Sequence, residues 1–320
     1  MVARKKRALS PAVDIQQSQT TVLASPIAST SITGSAVPAE SSHKAKKMKL
    51  HESYAVESPF PNFKHPTSAE VHEVHKILSE AHPTYNRERK DPSLSVSDAP
   101  GSCKAPNVIE SLIGTILSQN TTSQNSSRAK RSLDTAFGRN KFSAIVEAPK
   151  ADVVEAIKQG GLANKKAATI QNILKSVKEK HGDYSLQHLA VTEGDERISD
   201  DEIMKELISY DGVGPKTASC VLLFCLGRDS FAVDTHVFRL SKMLGWVPTK
   251  ADRILTQAHL DLHVPDELKY GLHVLMVLHG RTCKGCKSTR NADDCVLKDY
   301  LKKKKSERLE DEVDQQLVGE

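Results

Sequence analysis

From Thr67 onward the chain carries its apolar residues at intervals of three and four. Val71, Val74 and Leu78 share one helical face with His75, and Ile109, Ile113, Ile116 and Leu117 repeat the arrangement farther on. The same spacing predicts helices over 127–137, 152–159, 165–180, 202–210, 215–226, 235–244, 250–262 and 267–278, punctuated by short turns of Gly, Pro, Asn or Asp. No stretch alternates apolar and polar residues as a half-buried strand would. The expected fold is therefore all-α.

The remaining segments lack this periodicity. Residues 1–65 are rich in Ser, Thr, Ala and Pro and offer too little apolar surface to offset the entropy of ordering, so they read as a disordered arm. Residues 86–106 read as an extended surface loop, 192–201 as an acidic loop, and 301–320 as a charged tail that frays beyond the fold.

Composition narrows the compartment and the partners. Of the 320 residues, 38% are hydrophobic but only 4% aromatic, which calls for a largely aliphatic core. Six cysteines are too few for a disulfide scaffold of this length, and Cys220 and Cys225 fall within an apolar helix, so a reducing compartment is expected. The longest apolar runs fall far short of a membrane span. The formal net charge of +5 is concentrated at the N-terminus. Residues 1–50 hold eight Lys/Arg against Asp14 and Glu40, and the rest holds 37 bases and 38 acids. A near-neutral body of this kind must hold a polyanion through a local basic face. The clusters Arg4, Lys5, Lys6, Arg7 and Lys44, Lys46, Lys47, Lys49 read as nuclear localisation signals or phosphate-binding arms. A mitochondrial leader is the alternative, because the arm is Ser-rich and poor in acids.

The densest chemistry lies in LISYDGVGPKTASCVLLFCLGRDSFAVDTHVFR, residues 207–239. The helix over 202–210 runs into Asp211-Gly212-Val213-Gly214, and Pro215 suits the first position of the next helix. Two glycines let backbone amides approach a phosphate, and the helix start behind them adds partial positive charge. That grips a nucleic-acid backbone without reading sequence. Lys216 lies in the first turn, where the helix dipole disfavours a second positive charge, and only a neutral amine attacks carbon. Its other reading is a phosphate contact. Asp234 follows 18 residues later, just before the helical spacing of Val237, Phe238 and Leu240, as an N-cap whose carboxylate has a fixed direction. A structural cap and a catalytic carboxylate are compatible roles.

The hairpin, the lysine and the aspartate at this spacing resemble the helix-hairpin-helix (HhH-GPD) superfamily of DNA glycosylases, and within it the endonuclease III branch, over about residues 67–297. The resemblance implies a glycosylase domain at 66–300 with two all-α lobes and duplex DNA bound across the cleft between them. The six-helix barrel lobe would span about 106–227, and the second lobe 66–85 plus 229–300. It carries the catalytic lysine onto Lys216 and the catalytic aspartate onto Asp234, and places Gly212, Val213, Gly214 and Thr217 against the DNA backbone. The target base would flip into the cleft. Lys216 would attack the sugar, and a Schiff base would lead to β-elimination, which makes the chain a base excision repair glycosylase and abasic-site lyase. The implied partner is double-stranded DNA with damaged bases, oxidised pyrimidines foremost, or abasic sites. The protein would act as a monomer in the nucleus, with the mitochondrion as the alternative. A glycosylase for mismatched or methylated bases, or a DNA-binding scaffold without turnover, are the competing readings.

Softer carry-overs involve Leu117-Ser118-Gln119-Asn120-Thr121-Thr122, which resembles the segment that fills the gap left by a flipped base. Gln119 and Asn120 compete for that role, and a capping turn that touches no DNA is the other reading. His236 and Arg239 are expected to face the cleft and reach phosphate. The branch also implies a 4Fe-4S cluster on four cysteines, yet here only Cys283, Cys286 and Cys295 stand in the corresponding region, with Cys103 far away. The cluster is therefore expected to be missing, its cysteines left as a relic, a packing feature or a partial zinc site. No cofactor and no bound metal are expected.

Overall fold

The computed structural model describes residues 39–85, 107–191, 197–287 and 295–318, and among them every regular element is helical. Two hydrophobic cores organise these helices. The first is built by α3 (Val108–Ser118), α4 (Ser123–Phe137), α5 (Phe142–Glu147), α6 (Lys150–Ile157), α7 (Ala163–His181), α8 (Asp200–Ser209) and α9 (Pro215–Phe224). Leu112, Ile116, Leu133, Ile170, Leu174 and Leu207 lie fully inside it. Truncating any one of these to Ala would cost about 2–5 kcal/mol. The second core joins α2 (Ser68–Ala81) to α10 (Thr235–Met243), α11 (Arg253–His263), α12 (Asp266–Thr282) and α13 (Val296–Val318), with Trp246 and Phe231 buried at its centre.

Local chemistry fixes where these helices start. Thr67 with Glu70, and Ser199 with Glu202, form reciprocal capping boxes, while Asn107, Thr122 and Asp252 each accept a backbone N–H of the turn they open. Gly138 and Gly182 stop α4 and α7 at positive φ. Where the chain crosses between the two cores, the buried Arg228 guanidinium reaches Asp200 at 2.9 Å and the carbonyls of Val191 and Ile198, which anchors the crossover to α8.

Three expectations are corrected. The expected disordered arm over 1–65 holds a helix, α1 (Ala39–Tyr54), and an ordered segment behind it. The apolar positions of α1 are too few to show as a periodic face. It docks instead by Met48 against the first core, by Lys47 Nζ on the Val213 carbonyl at 3.1 Å, and by His51 on Asp201 at 2.9 Å. Farther on, Phe60 packs on the second core, and the Ser58 hydroxyl and the His65 carbonyl occupy the two ring nitrogens of His259. The expected frayed tail over 301–320 continues α13 to Val318, because Lys304 pairs with Glu73 of α2 at 3.2 Å and Lys303 with Glu307 one turn on. Thirdly, Asp200 and Asp201 belong to the first turn of α8 instead of the acidic loop, since Ser199 is the cap. The basic cluster at residues 4–7, the loop over 86–106 with Cys103, and the loop residues 192–196 lie outside the described residues.

Candidate active-site cleft

α8 and α9 are joined by a tight hairpin in which the Val213 N–H donates to the Tyr210 carbonyl at 3.1 Å. Gly212 has a φ of +84°, and a Cβ there would meet Thr169 Cγ2 at 2.5 Å, so conformation and packing both demand glycine. Gly214 differs. A Cβ on Gly214 would meet no atom within 4 Å, and the space beside its amide is open to a ligand. Val213 is fully buried, with its N–H on the Tyr210 carbonyl and its own carbonyl accepting from Lys47, so the DNA contact expected there is revised. Pro215 opens α9, which puts Lys216, half-buried, in the first turn.

Opposite stands the start of α10. Asp234 Oδ1 accepts the N–H groups of His236 and Val237, each at 2.8 Å, so the carboxylate is held by two charge-assisted bonds while the residue lines the cleft. The cleft has a volume of about 890 Å³. Its barrel wall comprises Ser118 to Ser123 and Gly214 to Thr217, and its other wall Asp234, Thr235, His236, Arg253, Ile254 and Arg281. Arg281 spans the opening by donating to the Ser123 hydroxyl at 3.2 Å.

The floor beneath the lysine and the aspartate holds two buried side chains, Cys220 and His273. Burial pushes the Cys220 thiol upward, against the pull of Lys216, which hydrogen-bonds it from one turn away. His273 is buried behind the same pair. Burial brings its imidazole down to about 4 despite the nearby Asp234 carboxylate, so at neutral pH it is uncharged and donates Nδ1–H to the Ala232 carbonyl at 2.7 Å. A neutral imidazole adds no positive charge against the lysine. His236 at the cleft edge is also lowered, mainly by burial.

The loop from α3 to α4 gives different surroundings to the two residues that the sequence left in competition. Gln119 is half-buried and donates its side-chain amide to the Thr217 hydroxyl at 3.2 Å, whereas Asn120 is exposed at the tip with φ of +50°, a conformation that Asn tolerates well. Lys166 props this loop from inside. Its buried ammonium donates to the carbonyls of Leu117 and Gly160, both at 2.8 Å, and desolvation lowers its affinity for a proton.

The structure thus brings together Lys216, Asp234, Gly214, Asn120, Gln119, Thr217 and His236 on one cleft. Two further expected DNA contacts are revised. Arg239 turns away, bonding the carbonyls of Cys286 and Gly280, because its guanidinium satisfies the end of α12 and the loop after it. Thr217 is 5% exposed, and its hydroxyl serves to hold Gln119. Arg253 and Arg281 escaped the sequence reading, since an arginine carries no local signal of the face it will occupy. Cys283, Cys286 and Cys295 lie together in the second lobe, and none of them lines the cleft.

Comparison with known proteins agrees with this geometry. Residues 113–265 match the profile of the "HhH-GPD superfamily base excision DNA repair protein" family. The chain is 37% identical to the Arabidopsis thaliana protein named "Putative DNA glycosylase At3g47830" over 75% of its own length and 87% of the relative's. It is 30% identical to Endonuclease III of Sulfolobus acidocaldarius, over 62% of this chain and 83% of that one. Among solved structures, a non-covalent Endonuclease III–DNA complex shares the fold with a TM-score of 0.54 at 23% identity, covering 72% of this chain and 93% of that one. The chain belongs to the HhH-GPD superfamily of base excision DNA repair glycosylases, in its endonuclease III-like branch.

Proposed function

We propose that the protein is a bifunctional DNA glycosylase and abasic-site lyase, acting on duplex DNA that carries a damaged base, with oxidised pyrimidines as the leading class. The observation that carries this reading is the meeting of Lys216 and Asp234 on one cleft, although they open different helices in different lobes. Neither residue is needed merely to hold phosphate.

The hairpin offers its Gly214 amide and the start of α9 to a phosphate, in space that no side chain fills. Asn120 enters the stack where the target nucleotide leaves it. The flipped nucleotide then occupies the cleft, and Asp234 accepts a proton from Lys216. The neutral Nζ attacks C1′ of the sugar, and the bond from C1′ to the base breaks as the new C–N bond forms, the base departing with the electron pair and taking up the proton that Asp234 received, which restores the carboxylate. Asp234 also faces the positive charge that develops at the sugar. Opening of the sugar ring gives a protonated Schiff base. Loss of a C2′ proton then expels the 3′ phosphate, which nicks the strand.

The test is incubation with duplexes carrying either an abasic site or one of a panel of modified pyrimidines, with borohydride present. Covalent complex and strand nicking are expected. Base release without either would leave a monofunctional glycosylase, and no reaction on any duplex would leave a DNA-binding scaffold.

A further inference from the structure

The end of α12 and the start of α13 enclose a cluster that the proposed chemistry does not use. His279, Cys283, Cys286 and Cys295 present one donor atom each, all within 4.8 Å of one another. Cys286 Sγ and Cys295 Sγ lie 3.1 Å apart, and Cys295 Sγ lies 3.6 Å from His279 Nε2. His279, Cys286 and Cys295 are buried and Cys283 is half-buried. The branch implies a cubane iron–sulfur cluster here, and these residues fit that group poorly: there are three thiolates, and the four donors converge on a space for one ion, whereas a cubane binds each of its ligands through a different iron. Tetrahedral zinc with Zn–S near 2.3 Å and Zn–N near 2.0 Å sets its donors ~3.5–3.8 Å apart.

We infer that His279, Cys283, Cys286 and Cys295 form a structural Cys3His zinc site that replaces the iron–sulfur cluster of the branch. The surroundings are those of a metal-binding knuckle. His279 Nε2 faces the thiols while Nδ1 lies 2.9 Å from His82 Nε2, so with zinc on Nε2 the Nδ1–H donates to His82 and ties the site to the residue that ends α2. The Cys286 N–H donates to Cys283 Sγ at 3.4 Å, and Arg239 holds the Cys286 and Gly280 carbonyls, so the Cys-x2-Cys turn is fixed in the geometry that aims both thiolates inward. The ion closes the fourfold donor set and joins α12 to α13, both of which pack on α2. The expectation of no metal counted thiolates and passed over His279, which lies four residues before Cys283 within the last turn of α12.

Full-length protein purified in reductant without a metal-affinity step tests this by elemental analysis and by cobalt(II) replacement. One zinc per chain is expected, and the cobalt form should show the intense visible bands of a tetrahedral thiolate complex. His82→Ala should weaken zinc binding by about tenfold, as loss of an outer hydrogen bond to a ligand does. His279→Ala should lose stoichiometric zinc while His279→Cys keeps it, a pair that separates loss of a ligand from loss of fold. Three results would overturn the assignment: metal-free protein whose thiols are all reduced and which gives no cobalt spectrum, a Cys286–Cys295 disulfide in the isolated protein, or stoichiometric iron with sulfide.

Discussion

Gln119 and Thr217 are joined by a hydrogen bond of 3.2 Å from the side-chain amide to the hydroxyl, which links the end of α3 to the first turn of the lysine's helix. With Gln119 occupied in this way, its neighbour Asn120 is left exposed at the loop tip, where the proposed function has it meet the duplex. Asn120→Gly removes the side chain without opposing the positive φ, so thermal stability should hold. Affinity for a duplex with an abasic-site analogue should fall about fivefold to tenfold, as for one or two missing hydrogen bonds. Fluorescence anisotropy measures this, and unchanged affinity would remove Asn120 from the interface.

Asp234 is a cap that the proposed function also makes a catalytic carboxylate, and the two roles separate on substitution. Asp234→Asn keeps an oxygen able to accept the His236 and Val237 N–H groups, so the loss of stability should stay below the ~1 kcal/mol of a missing cap. Turnover should drop by orders of magnitude because an amide accepts no proton. Thermal melts and single-turnover rates on one preparation decide between them. Near-normal turnover would leave only the cap.

The N-terminal region is divisible. Removing residues 1–38 takes away Arg4, Lys5, Lys6 and Arg7 but spares α1, so the melting temperature should hold while the salt dependence of nonspecific DNA binding flattens, by about 0.9 in slope for each phosphate the arm had neutralised. Removing residues 1–60 also strips Lys47 from the hairpin, Ser58 from His259 and Phe60 from the second core. That protein should melt several degrees lower, by about 2–4 °C for each kcal/mol of stability removed in a domain of this size. Equal melting temperatures for the two truncations would show that α1 and the segment after it add nothing to stability.

Glu206 predicts an acid limit. Burial alone would raise its carboxyl, but hydrogen bonds with His188, Tyr210 and Lys180 and the Lys180 charge bring it down to about 2. His181 also approaches it at 2.8 Å. A depressed carboxyl contributes stability that is fully present above its unfolded value near 4.5 and disappears as pH falls toward 2. Glu206→Gln should therefore be destabilised by on the order of 2 kcal/mol at pH 7, with the gap to the parent protein closing below pH 4.5. Denaturant titrations across pH 2.5–7 measure it, and a gap independent of pH would assign the loss to packing.

Much of the fold was legible because spacing and burial are coupled. Ile109, Ile113, Ile116 and Leu117 repeat at helical intervals and lie in the first core, and Val71, Val74 and Leu78 do so in the second. The hairpin was legible because Gly212 is required by its own φ, and Asp234 because capping is a local event. Long-range contacts were not. α1 is held by Lys47 and His51, whose partners lie 166 and 150 residues away, and neither leaves an apolar period. Lys166 looks like any surface lysine of an amphipathic helix until the carbonyls of Leu117 and Gly160 are placed around it. Arg239 was misread for the same reason, since the direction a helical side chain takes depends on the neighbour it meets.

The most direct test of the account is to trap the Schiff base on an abasic duplex with borohydride and map the modified peptide. A single adduct on Lys216 is expected, absent in Lys216→Gln while that variant keeps its helical content and its duplex binding. Undiminished trapping in Lys216→Gln, or an adduct on another lysine of the native protein, would contradict it.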